Sequence, residues 1–127
     1  MTEFKFNPND PVIIVDVVIK GRITETLKMA LDTGATYLMI PWRISESLGL
    51  KAEISKEKIS MTTASGTEQA PLVTLKSVKA FGKEKKKIKA MVHDLPPTAY
   101  VDGLLGLSFM KNFKWEINFH KGIIKLY

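Results

Sequence analysis

The 127-residue chain has no cysteine, so disulfides and thiolate metal sites are both excluded. That lack also fits a reducing compartment. Histidine is nearly absent too. His93 and His120 stand apart, without histidine or carboxylate neighbours at metal-ligand spacing. Both are assigned to surface or packing roles, and no metal or cofactor is expected. The longest apolar stretch, Val12 to Ile19, is broken by Asp16 and is far too short to cross a bilayer. Residues 1–10 lack a basic start leading into an apolar core, so a secretory signal is not expected there. These absences together predict a soluble cytoplasmic protein with no membrane partner. Two further chemistries find little support. Gly103-Leu104-Leu105-Gly106 is apolar where a phosphate-binding loop needs lysine or serine, and Ser65 and Ser108 have no histidine pattern nearby.

What is present suits one globular domain over residues 1–127, with 45% hydrophobic residues and a modest core. The formal charge is +6, and the basic residues concentrate between Lys83 and Lys89, just after Gly82. That run reads as a solvated hairpin tip between two strands. No aromatic residue interleaves with the lysines, so a nucleic-acid partner is not expected.

The pattern is mostly strand. Pro11–Ile19 is rich in β-branched residues, Lys20–Arg22 makes a turn, and Ile23–Leu31 returns as a second strand. Pro41–Gly49 reads as a short helix, with proline in its first turn and glycine at its end. Ile59–Pro71 has a small, polar, glycine-bearing middle, the composition of a mobile hairpin. Leu72–Ala80 and Ile88–Val92 are further strands, and Ser108 is placed to cap a brief helix through Phe113. Trp115–Phe119 alternates, and Gly122 turns the chain into Ile123–Tyr127 as a closing hairpin. Met39, Met91, Met110, Trp42 and Trp115 are expected in packing roles. A faint duplication underlies this order. Each half runs strand, turn, strand, then a glycine turn and a short helix, the first reaching Leu31–Gly34 and the second Gly103–Gly106.

Within Lys28–Thr36 an apolar run delivers the carboxylate of Asp32 into a glycine turn. A carboxylate at the end of an apolar strand is costly to desolvate unless something pairs with it or uses it. Thr33 supplies a hydroxyl that can hold the turn. Gly34 permits close approach of backbone or substrate.

Asp32-Thr33-Gly34-Ala35-Thr36 with Ile40-Pro41, the helix ending at Leu48-Gly49-Leu50, and Asp102–Leu107 with Phe109 together resemble the retropepsin-like aspartic proteases of bacteria and archaea, the one-lobe relatives of pepsin. The likeness covers almost the whole chain. It implies an all-β, closed, barrel-like and mostly antiparallel acid-protease fold, with two ψ-shaped loops and one or two short helices. It also implies a homodimer, because each lobe contributes one aspartate and the chemistry needs two. Asp32, Thr33 and Gly34 would form the catalytic turn, with Thr33 bonding across the dimer axis. Ala35 would meet an extended peptide, and Ser65, Gly66 and Thr67 would form a flap over it. The implied activity is an endopeptidase without cofactor. The competing reading is a catalytically silent peptide-binding or dimerisation module of the same fold. Three departures stand out. Thr36 replaces a commonly acidic position, the flap has a single glycine, and no segment matches the terminal strands that knit the retroviral dimer. Asp102 precedes Gly103-Leu104 rather than a Ser/Thr-Gly, so it is read as bracing its turn and not as a second catalytic aspartate.

Overall fold

A computed structural model describes all residues 1–127. In chain order it contains β1 (Thr2–Lys5), β2 (Ile14–Lys20), β3 (Thr24–Leu31), β4 (Leu38–Ile40) and α1 (Trp42–Ser47), then a single 3₁₀ turn at Ala52–Ile54. The second half contains β5 (Lys58–Thr63), β6 (Gly66–Ala80), β7 (Lys83–Val92), β8 (Gly103–Leu105), α2 (Leu107–Met110), β9 (Trp115–Asn118) and β10 (Ile123–Leu126). No helix is long and apolar enough to cross a membrane.

Six strands close into a ring in the order β2-β3-β8-β4-β7-β6, with β6 returning to β2 and β5 attached outside β6. β3–β8 and β4–β7 are parallel, and the other pairings are antiparallel. The ring maps onto itself when β2, β3 and β4 exchange with β6, β7 and β8. Each exchange converts an antiparallel pair into an antiparallel one and a parallel pair into a parallel one. The internal duplication is thus visible in the topology, with α1 after β4 matched by α2 after β8. It pairs different segments from those the sequence suggested. Gly103–Gly106 corresponds to the β4 region, and the counterpart of the Asp32 turn is the segment after β7.

Alternation along the strands fills the ring. Val15, Val17 and Ile19 of β2, Leu27 and Met29 of β3, and Leu75 and Val78 of β6 point inward and are almost fully buried. Leu38, Ile40, Leu105 and Phe109 belong to the same cluster. On the outward faces of β2 and β3, Asp16, Lys20, Thr26 and Lys28 stay in water.

Three elements differ from expectation. The lysine-rich run is not a hairpin tip. The turn is Phe81-Gly82, both at positive φ as a two-residue hairpin turn requires, and Lys83–Lys89 lie along β7. Ser108 does not cap α2, because Gly106 occupies that position. The Ser108 hydroxyl instead donates to the Lys89 carbonyl (2.8 Å) and accepts from the Leu38 amide (3.1 Å), tying α2 to β7 and β4. Finally, residues 2–5 form a strand. β1 pairs with β10 and β10 with β9, making a separate three-stranded sheet in which Phe4 packs edge-on to Phe81.

Candidate active site

Asp32 immediately follows β3, whose parallel neighbour is β8. Its amide donates to the Leu105 carbonyl (3.0 Å), so the end of β8 fixes where the side chain emerges. The carboxylate Oδ1 accepts the Gly34 amide at 2.8 Å, closing a tight turn. A side chain at Gly34 would place its Cβ 3.2 Å from that oxygen. The Asp32 carbonyl accepts from Ala35, whose own carbonyl takes the Leu107 amide. The loop is therefore stitched to the Gly103–Ser108 segment crossing beside it.

That crossing needs glycine. A Cβ on Gly106 would lie 2.3 Å from the Tyr37 carbonyl oxygen and 2.6 Å from that of Ala35. One on Gly103 would lie 2.1 Å from the Met39 carbonyl oxygen. Two loops from opposite halves cross here at backbone contact, which is the ψ arrangement.

The Asp32 carboxylate is half-exposed, and its Oδ2 has no partner within the chain. Thr33 and Gly34 are exposed, and the Thr33 hydroxyl makes no bond inside the chain. The polar groups of this turn are presented outward rather than satisfied internally. Burial of the Asp32 charge, expected from the strand that carries it, requires a further surface.

One cavity is lined by the turn, and two more continue from its walls. Gly34, Ala35, Tyr37, Met39, Met61, Met91 and Leu104 contribute to a cleft of 460 Å³ under the hairpin formed by β5 and β6. Met39 and Met61 are also walls of a 450 Å³ cavity running on beneath Thr63, Ala64 and Ser65 towards His93, Leu95 and Pro96. On the other side of Leu104, an apolar groove of 640 Å³ is lined by Val12, Ile14, Ala30, Tyr100 and Val101 among others. Ser65, Gly66 and Thr67 are exposed at or next to the tip of this hairpin. Gly66 has φ 130° and nothing near its missing side chain. The structure thus brings Ala35 to the cleft and suspends the hairpin over it. Sequence reasoning missed Met39, Met61 and Met91 as cleft walls. A methionine on a strand looks the same whether it faces a core or a groove.

Asp102 is committed elsewhere. Its Oδ2 accepts the Lys28 amide (2.9 Å), its own amide donates to the Lys28 carbonyl (2.7 Å), and its Oδ1 accepts from the Arg43 guanidinium (3.1 Å). It clamps the start of β8 to β3 and α1. No cluster of metal-ligating side chains is present.

Comparisons with known proteins agree with this architecture. Residues 15–112 match the family described as "gag-polyprotein putative aspartyl protease". The chain belongs to that aspartic protease family. By structure it is similar to a retropepsin-like aspartic protease from Rickettsia conorii, with a TM-score of 0.72, 27% identity and 98% of each chain covered. A comparison with curated proteins by sequence finds no match. The retropepsin-like fold implied by the sequence motifs is the one observed.

Proposed function

We propose that the protein is an aspartic endopeptidase that hydrolyses extended peptide segments as a homodimer, with Asp32 of each subunit forming the catalytic pair. The observation that carries this reading is the outward-facing turn. Asp32 keeps one carboxylate oxygen free, Thr33 keeps a free hydroxyl, and both lie beside a peptide-sized cleft under a hairpin. A two-fold axis at this turn would satisfy those groups with their own copies. Cytoplasmic location suits a chain without cysteine.

Two carboxylates about 3 Å apart share one proton, because both cannot ionise freely. The ionised member accepts a proton from a water as its oxygen attacks the scissile carbonyl carbon. The protonated member gives its proton to the carbonyl oxygen, forming a tetrahedral diol. Collapse returns a hydroxyl proton to the pair, and the departing nitrogen takes a proton as the C–N bond breaks. The pair ends as it began. Such acid–base help is worth about 10²–10⁴-fold, so positioning and water exclusion supply the rest. The Gly34 carbonyl, which no group of the chain engages, and Ala35 beside it would meet the peptide backbone from below and Ser65–Thr67 from above, extending it as a strand. The apolar groove at Val12, Ala30 and Leu104 suits apolar substrate side chains.

The test is cleavage of a diverse peptide mixture by wild type and Asp32→Asn from acid to neutral pH. Wild type should cut with a bell-shaped rate profile, and the variant should lose about 10³-fold or more. No cuts by wild type, at concentrations where the dimer is shown to form, would leave the silent peptide-binding module as the function.

A further inference from the structure

The pseudo-two-fold of the ring gives Asp32 a counterpart. Asp32 follows β3 and donates its amide to Leu105, the last residue of β8. His93 follows β7 and donates its amide to Ile40, the last residue of β4 (3.0 Å). The two exchanges that map the ring onto itself therefore carry Asp32 onto His93. The second half of the fold builds the same rigid seat, but places an imidazole on it.

That imidazole reaches the hairpin above the cleft. His93 Nε2 lies 2.9 Å from Glu68 Oε2 on β6. Residues 58–69 otherwise keep their side-chain hydrogen bonds to themselves, Thr63 Oγ1 bonding Ser65 Oγ and the Gly66 carbonyl. Lys89 Nζ on Glu57 and Ser55 Oγ on the Leu72 carbonyl hold the base of the hairpin, and Glu68–His93 is the one side-chain hydrogen bond that ties its outer part, residues 58–69, to the body of the molecule. One end of the contact lies on a stretch packed against nothing, since Gly66–Gln69 are all exposed. The other end is fixed twice. His93 is anchored to Ile40, and the adjacent Asp94 accepts the Trp42 amide (2.9 Å).

We propose that Glu68 and His93 form a latch that holds the flap over the cleft of its own subunit, making both of them positioning residues for substrate. The inference rests on reading the β5–β6 hairpin as a flap. The pair borders the 450 Å³ cavity that continues the cleft, so an extended peptide passing beneath Met61 runs alongside it. Opening the hairpin wide enough to admit a peptide breaks the contact, and closing it re-forms the contact on a seat that does not move.

A chain without cysteine allows one spin label to be placed at the flap tip through Ser65→Cys. In the otherwise wild-type protein the restricted spectral component should dominate. Glu68→Gln and His93→Gln should each raise the mobile-to-restricted ratio by about three- to five-fold, as expected for a half-exposed pair. The double variant should do no more than either single one. Unchanged mobility in both variants, or additive effects, would overturn the latch. The label responds without turnover, so the outcomes separate. A responsive label on a protein that cuts nothing supports the latch and refutes the peptidase. An unresponsive label on an active enzyme does the reverse.

Discussion

At the scale of single residues, the two aspartates of the signature segments have opposite fates for a geometric reason. Asp32 ends its strand with one oxygen uncommitted, whereas Asp102 spends both oxygens on Lys28 and Arg43. Asp102→Asn keeps an oxygen for the Lys28 amide but turns an NH₂ towards the guanidinium. Because the Arg43 pair is largely solvated, the loss of stability should be under about 1 kcal/mol, read from denaturant unfolding. Peptidase activity should stay within about two-fold of wild type, since the ring seats His93 and not Asp102 opposite Asp32. Activity as low as that of Asp32→Asn would instead make Asp102 part of the catalytic pair. The sequence already favoured this division, from the missing Ser/Thr-Gly after Asp102. It could not show that His93 holds the symmetric seat. The correspondence lies in backbone hydrogen bonds between strands far apart in the chain, and the side chains themselves share no likeness.

At the scale of elements, strands with strong alternation and glycine-marked turns were legible, and short strands were not. β2, β3 and the β9–β10 hairpin appear within a few residues of their expected places, because burial on one face imposes a period of two. β4 and β8 have three residues each, too few for periodicity, and they exist because parallel neighbours on the ring hold them. In sequence the lysine run reads as a tip, since charge implies solvent. On an exposed length of β7 the same charge is equally solvated. β1 was the largest omission, and its polar beginning hides what it does. Phe4 meets Phe81 at 5.0 Å between ring centroids, Phe81 meets Trp115 at 5.2 Å, and the Thr2 hydroxyl donates to the Phe81 carbonyl at 2.7 Å. The N-terminal strand thus closes the aromatic end of the molecule. Phe4→Ala should cost about 2 kcal/mol, roughly half of a fully buried truncation because Phe4 is only part-buried. A melting temperature unchanged by Phe4→Ala would show that β1 is only loosely attached.

At the scale of the whole molecule, the use of β1 bears on assembly. Thr2–Lys5 pairs residue for residue with Ile123–Leu126 of the same chain, so the backbone groups facing β10 are already satisfied. A dimer built at the Asp32 turn cannot also gain a sheet by exchanging that pairing between subunits without first breaking it. A dimer at this turn would then rest on the free polar groups of Asp32 and Thr33 and on the exposed flap tips. Such a surface falls at the small end of stable interfaces, where affinities on the order of micromolar are expected. The molecule's net charge opposes closer association only weakly. Lys76–Lys89 carry seven lysines against Glu84 alone, and the remaining charges of the chain balance, so the repulsive field is confined to one hairpin. Activity per subunit should therefore be concentration-dependent, falling on dilution through the micromolar range in step with a shift from dimer to monomer in sedimentation. Joining two copies through a flexible linker should remove that dependence, because tethering raises the effective concentration to about millimolar. If the unlinked protein keeps full specific activity well below micromolar, the interface is larger than the free surfaces of this subunit supply. The terminal strands must then leave their own chain when the dimer forms.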